Sequence, residues 1–575
     1  MARLGRVLAA AAFAAAAAAA AAADVPPTVI FNVIVDDLGF ANVGWRSPNP
    51  PENATPRLAA LRAAGVGLER QYNHMTCTPS RSAFMSGRLP VHVQTTLANP
   101  DVQTAGMPVN MTALPSRLAR ANYSSSVAGK WDLGFARPQH TPERRGYATS
   151  LIYAEHMNNY FSYEVEPTGT SCPPNQTIFD LWDTGAPASS FVGSGDYIED
   201  LFLNRTLATV AAFDPSGGRR LFLDYRPHSM HWPLMLKQED FDAFANVTDD
   251  EGACQQRFYG DPMWPGPAGS GNRKFSCRRQ YQAMLAALDR RIGQIVDALV
   301  AKGLWGETLM TFMSDNGGCT ELSENAANNF PLRGGKYFAF EGGIRVTAFL
   351  SGGYLPAAAR GTSSNEIVHI ADYHVTLCVR AGLSLAECTS DPLAAAAGLP
   401  PVDAVDFWPS VVLGEGPSPR VEVPVDAATL LQRNGSSIFK LMLGDQSGAG
   451  WTGVVFPNAT GPNPSDAVLH CGAGGCLFDV ASDEGEHVDL PRSARSSPRP
   501  WRRASPSCAS PSTATRTAAW TLTAARPCPG ATAPAGPRST SGAASWGRGR
   551  RSERGTRPFV EPFPAPPPPA RPAPR

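Results

Sequence analysis

Two apolar runs, far apart in the chain, constrain the fold more than any other feature. Val29 to Val35 reads as a buried strand and ends at Asp36-Asp37-Leu38-Gly39; Leu309 to Met313 runs into Ser314-Asp315-Asn316-Gly317. Runs with so little polar alternation are typical of strands covered on both faces, as in parallel sheets. Between them, Pro56 to Ala64 reads as a helix, Leu114 to Ala121 as a helix leading into a strand at Ser124 to Ala128, and Leu221 to Tyr225 as a further strand. The clearest helix is Arg279 to Lys302, with Met284, Leu288, Ile292, Ile295 and Leu299 on one face. Strand–helix alternation of this kind predicts an α/β fold with a mainly parallel sheet flanked by helices. Ligands in such sheets collect beyond the carboxyl ends of the strands, where both acidic clusters fall.

At 575 residues the chain accommodates one large domain at 24–417 and a smaller one at 418–490. In the latter, Ser437 to Leu443 and Cys476 to Val480 read as short antiparallel strands between Gly and Asn turns. Residues 491–575 hold 15 Arg and no Lys or Asp among Pro, Ala and Ser, a composition that cannot bury enough apolar surface to order the chain. Two readings of this stretch stay open, a frame-shifted translation of a GC-rich gene and a disordered basic tail. A formal net charge of zero argues against nucleic acid or an anionic membrane as partner, and no run after residue 25 approaches the length of a membrane span.

Residues 1–23 read as a signal peptide: Arg3 and Arg6 precede an Ala-dominated run that ends in small residues before Asp24. Glycosylation acceptors fit that route at Asn53, Asn110, Asn122, Asn175, Asn204, Asn246, Asn434 and Asn458. Leaving aside Cys77 and the tail's Cys508 and Cys528, the remaining eight cysteines form an even set, with Cys378/Cys388 and Cys471/Cys476 the simplest disulfides. Secretion, or delivery to a lumen such as a lysosome or vacuole, is the expectation.

The chemistry concentrates in Cys77-Thr78-Pro79-Ser80-Arg81, followed by Ser86-Gly87-Arg88. This segment resembles the signature of the formylglycine-dependent sulfatases, in which the cysteine is oxidised by a formylglycine-generating enzyme to an aldehyde that hydrates to a geminal diol. One hydroxyl of such a diol attacks sulfur and the second expels sulfate as the aldehyde re-forms. Pro79 suits the first turn of a helix, whose amides favour an anion, and Arg81 supplies a charge that cannot be lost. Hard oxygen donors at Asp36, Asp37, Asp315 and Asn316 suit calcium or magnesium; the resemblance makes them the ligands of one Ca²⁺, shared with residue 77.

Further segments follow in the family's order. Gly129-Lys130-Trp131-Asp132-Leu133-Gly134 resembles Gly-Lys-Trp-His-Leu-Gly but carries Asp132 where the family has histidine. Lys130 is implied to contact sulfate. Two readings of Asp132 stay open: kept ionised by Lys130, it replaces the base that drives sulfate elimination, or it is only the lysine's salt-bridge partner. In Pro227-His228-Ser229-Met230-His231-Trp232-Pro233, His231 matches the histidine that binds sulfate and protonates the departing alcohol; His228 fits less well. Lys336, within Leu332-Arg333-Gly334-Gly335-Lys336, is implied to hold sulfate or the leaving oxygen, and Asp315 to deprotonate the attacking hydroxyl. Thr141 to Tyr147 also matches.

The resemblance covers about residues 28 to 490 and looks closest to the arylsulfatase B-like branch. It implies an alkaline-phosphatase-like fold and hydrolysis of aryl or carbohydrate sulfates, with a sulfated small molecule or glycan as substrate. Two rivals are a phosphoester or phosphonate hydrolase of the same fold and an inactive secreted glycan-binding homologue.

Overall fold

Six strands carry the main sheet: β1 (Val29–Val35), β2 (Tyr123–Lys130), β3 (Thr149–Tyr153), β4 (Arg220–Arg226), β5 (Thr308–Ser314) and β6 (Ala348–Ser351). In the computed structural model they lie in the order β6-β5-β1-β4-β2-β3, within a sheet of ten strands among the described residues. From β5 to β3 every neighbour is parallel, and β6 turns antiparallel against β5. The described residues are 25–47, 55–97, 106–165, 178–247, 277–321, 327–457, 463–472 and 474–490. The expected signal peptide at 1–23 and the basic stretch at 491–575 lie outside them.

Every residue of β1 and of β5 is buried, because strands flank both edges and helices cover both faces. Val29, Phe31, Val33 and Val35 point into one core with helices α1 (Pro56–Ala63), α3 (Ile198–Ala212) and α4 (Cys277–Ala301). Ile30 and Ile34 point into the other, with α2 (Cys77–Ser86) and α5 (Asp372–Arg380). The five apolar positions expected along α4 are all buried. Asn32 is the polar exception within β1; it donates to Asp224 on β4 at 2.8 Å and accepts from Thr311 on β5 at 2.6 Å, so its amide is satisfied across three strands.

The expected antiparallel unit is a four-stranded sheet of Glu422–Pro424, Thr429–Asn434, Ser437–Met442 and Cys476–Asp479. Disulfides join Cys378 to Cys388 and Cys471 to Cys476, and Cys277 is also disulfide-bonded. No helix of the described residues is long and apolar enough to cross a membrane.

Where β2 ends, a glycine is obligatory. Gly129 has φ +122, and a Cβ there would lie 1.7 Å from the Arg226 carbonyl oxygen on β4. Both atoms belong to backbone of paired strands, so neither can yield without breaking the ladder. Gly129→Ala should therefore lose at least about 2 kcal/mol of stability in urea denaturation, and would displace Lys130 and Asp132 as well.

Candidate active site

The carboxyl ends of β1, β2, β4 and β5 deliver the functional side chains to one buried volume. Asp36 and Asp37 leave β1, and Asp37 adopts a left-handed backbone (φ 53) that aims its carboxylate back over the sheet. Aspartate tolerates this region better than most residues, although it still costs about 1–2 kcal/mol. Tyr281 of α4 fixes the turn, donating to the Asp37 carbonyl and accepting from the Gly39 amide, both at 3.0 Å. On the β5 side, Asp315 Oδ1 accepts the Asp37 amide at 3.3 Å, and the Ser314 hydroxyl accepts the Leu38 amide at 3.0 Å.

Cys77 opens α2, all ten residues of which are buried, and Gly87 closes it in a left-handed conformation with its N–H on Ala83. Pro79 lies in the first turn, as expected. The Cys77 Sγ lies 3.5 Å from Asp36 Oδ1. Arg81, one turn on, meets Asp315 Oδ2 with Nε at 3.0 Å and Nη2 at 2.8 Å, and its Nη2 is 3.8 Å from Asp36. Lys130 binds Asp36 Oδ2 at 2.7 Å. Lys336 binds Asp37 Oδ2 at 2.9 Å and lies 3.0 Å from His231 Nε2. All the expected site residues therefore converge.

One donor atom each from Asp36, Asp37, Cys77 and His231 lies within 4.8 Å of the others, close enough together to hold a metal ion. Asn316 adds to it: its amide N–H donates to Asp37 at 2.7 Å, while its Oδ1 is buried without a hydrogen-bond partner. An orphaned, buried amide oxygen beside carboxylates fits a hard cation. Charge points the same way. Four buried carboxylates (Asp36, Asp37, Asp132, Asp315) face three cations (Arg81, Lys130, Lys336), leaving an excess negative charge that a dication would reverse. The residues present thus fit a divalent ion.

Titration follows from this crowding. Burial works against charge at Asp36, yet Lys130, Arg81 and Lys336 outweigh it and hold the carboxyl below its ordinary range. Asp37 is pushed up to about 7 by burial, which Lys336 offsets only in part against Asp36 and Asp315. Burial, then Lys336 and Lys130, push His231 well below its usual value, so it is neutral. Its Nδ1 lies 2.6 Å from the Trp232 carbonyl, which can only accept. The proton is therefore on Nδ1, and Nε2 presents a lone pair to Lys336.

Asp132 is fully buried. Its Oδ1 accepts from the Thr78 hydroxyl at 2.6 Å, and its Oδ2 lies 3.7 Å from Lys130 Nζ. Burial raises its pKa, but Lys130, His156 and Thr78 together bring it below the ordinary carboxylate value. His156, which sequence patterning did not single out, follows β3 and places Nδ1 3.5 Å from Asp132 Oδ1. The available signal was a titratable pair, Glu155-His156, just past a strand end. His228 is buried and stacked on Tyr160 at 3.9 Å between centroids. The Thr141–Tyr147 match is structural: Arg145 is buried, with its guanidinium on the carbonyls of Met107, Pro108, Val109 and Met111.

A sulfatase family model matches residues 27–382. The chain belongs to the sulfatase family. Arylsulfatase J of Mus musculus is 29% identical over 490 residues, covering 81% of this chain and 72% of the relative. Arylsulfatase A of Bos taurus is 28% identical over 483 residues, covering 81% and 83%. A solved structure of Ps i-CgsB in complex with k-i-k-neocarrahexaose superposes with a TM-score of 0.59 at 24% identity, covering 82% of this chain and 90% of that one. This sulfatase is accordingly a sulfuric ester hydrolase on a mainly parallel α/β sheet with a smaller antiparallel sheet. Arg81→Met should destabilise it by roughly 3–5 kcal/mol, because Asp315 would stay buried without its partner. Urea denaturation of the Cys77→Ala and Cys77→Ala/Arg81→Met proteins would check this independently of turnover.

Proposed function

We propose that Cys77 is oxidised to formylglycine by a formylglycine-generating enzyme, and that with one Ca²⁺ the site hydrolyses sulfate esters of a sulfated small molecule or glycan. The observation that carries this reading is the convergence on Cys77 of Asp36, Arg81, Lys130 and, through Asp37, Lys336 and Asn316. The hydrated aldehyde supplies one hydroxyl that attacks sulfur and a second whose deprotonation, as its electron pair forms C=O, expels sulfate. A bound dication draws electron density from the sulfate oxygens; Asp36, Asp37, Asp315, Asn316 and residue 77 would hold it.

The remaining work falls to the protein's own groups. Arg81 and Lys130 fix the residue-77 side chain against Asp315 and Asp36. Lys130 and Lys336, both buried, face the sulfate as point charges in a low-dielectric site, where they act more strongly than in bulk water. Asp315, whose pKa is raised by burial and then by Asp36, takes the proton of the attacking hydroxyl. Neutral His231 has its acceptor nitrogen on Lys336, so the departing alcohol draws its proton from the Lys336–His231 pair, not from His231 alone. Asp132 accepts the proton released with sulfate.

A secretory setting accords with the disulfides and with the surface. Each sequon asparagine among the described residues, Asn110, Asn122, Asn204, Asn246 and Asn434, is exposed and open to glycosylation. Placement in the arylsulfatase B-like branch rests on the motif set.

Two experiments decide the assignment. Mass spectrometry of the residue-77 peptide should show the aldehyde, and Cys77→Ala should fold normally yet lose nearly all turnover of an aryl sulfate; an unmodified thiol in active enzyme overturns the reading. Asp37→Ala should lose bound calcium and activity together, with elemental analysis as the metal readout. Full activity after exhaustive chelation overturns the role of the ion.

A further inference from the structure

We propose that Asp132 and His156 act as one proton acceptor, with the imidazole at position 156 the group in which the proton released at residue 77 comes to rest before it reaches solvent. The inference rests on the sulfatase chemistry above and deepens it at a position where the sequence departs from the family motif.

Three observations carry it. First, a carboxylate alone is a poor terminus for a proton near neutral pH, yet Asp132 occupies the slot of an imidazole. Second, an imidazole is present after all. His156 Nδ1 lies 3.5 Å from Asp132 Oδ1, at the long end of hydrogen bonding, while the other oxygen, Oδ2, is buried with no hydrogen-bond partner and lies on the Lys130 side. Catalytic hydrogen bonds are commonly long before substrate binds. Third, the pair spans the boundary of the site. The side chains of Asp132, Lys130 and Arg81 are completely buried, whereas that of His156 is 24% exposed. A proton taken by Asp132 thus has an exit through the imidazole.

The segment that carries His156 is anchored. Asp180, itself buried, accepts the amides of Ala154 and Glu155 at 2.9 Å, and its backbone carbonyl accepts from Asn158 at 2.8 Å. The charged groups facing the imidazole are Asp132 on one nitrogen, Glu155 at 3.8 Å on the other, Lys130 behind Asp132, and Asp180 beneath. Burial alone would favour neutral imidazole, but Asp132 and then Glu155 outweigh it and hold the His156 pKa above its ordinary value, against the opposing charge of Lys130. The step moves one proton and no electrons. A hydroxyl O–H breaks as Asp132 Oδ2 takes its proton, the carboxyl then gives up that one proton to the unprotonated Nδ1 of neutral His156, and the imidazolium so formed releases its Nε2 proton to water.

His156→Gln keeps a hydrogen-bond donor for Asp132 but cannot titrate, and both readouts below use calcium-loaded protein. In 4-methylumbelliferyl sulfate turnover, the acid limb of kcat should move down by about one pH unit or more, from the imidazole toward the carboxylate range. kcat should fall about tenfold with kcat/KM nearly unchanged, since the earlier alcohol-releasing step is untouched. Imidazole in the buffer should restore part of kcat in His156→Ala. Independently of turnover, NMR titration of the Cys77→Ala protein should place the His156 midpoint above 6.5, and Asp132→Asn in that background should lower it. An acid limb that stays in place in His156→Gln, or a His156 midpoint indifferent to Asp132→Asn, overturns the pairing. Wild-type enzyme bearing the aldehyde yet inert toward every sulfate ester overturns the parent reading instead, and the NMR titration then still decides whether the pair exists.

Discussion

The architecture of this sulfatase depends on compensating charge inside a buried site. Asp36, Asp37, Asp132 and Asp315 are all buried, and an unpaired carboxylate in such surroundings would cost several kcal/mol or simply protonate. Three of them are matched to a specific cation from another element, Asp36 to Lys130, Asp37 to Lys336 and Asp315 to Arg81, while Asp132 shares Lys130 at 3.7 Å. Because those cations come from β2, α2 and the loop before β6, the pairs also lock the elements together. Under the proposed function, the groups that stabilise one another here are those an anionic ester would meet, so binding would exchange partners instead of creating charge. Such a site is organised before substrate arrives.

Backbone strain serves the same end. Asp37, Asp132 and Met230 hold left-handed conformations at the ends of β1, β2 and before His231. Strain of this kind persists only where the surroundings over-determine it, and here Tyr281 fixes the first turn while the Asp132 amide is held by the Ala154 carbonyl of the strand-end beside it. The parallel sheet is what makes this cheap. Its strands stop at one level, so several sharp turns stand side by side.

Much of this was legible in the sequence. The runs at Val29–Val35 and Leu309–Met313 are strands within a residue of their expected ends, since burial on both faces leaves a strong apolar imprint. The helix expected at Arg279–Lys302 is observed at Cys277–Ala301 for the same reason. Strand β3 and the short edge strands left no such imprint; Thr149 is exposed, and Trp182–Asp183 is half-buried. His156 was missed with β3, because a histidine's role depends on which strand-end lies beside which, and pairing order is a property of the fold. His231 illustrates the complement. Its position followed from the sequence, but the proton on Nδ1 follows from a carbonyl one residue away that only the turn brings into place.

The small C-terminal sheet is more than an appendage to this arrangement. Lys440, completely buried on its third strand, binds Glu486 at 2.8 Å and Glu341 at 3.4 Å, and Glu486 also accepts the Glu341 amide at 2.7 Å. Two carboxylates sharing one lysine leave a residual repulsion. Burial and Glu341 accordingly raise Glu486 to about 7, against the pull of Lys440. Glu341 lies five residues beyond Lys336, and the loop between them is tied down from the same side. Arg333 donates to the carbonyls of Ala449 and Glu486, and the Gly334 amide to Gly450. The position of Lys336, and with it the charge on Asp37 and the lone pair of His231, is therefore set by chain as far as Glu486. The placement of Lys336 is a property of both sheets together.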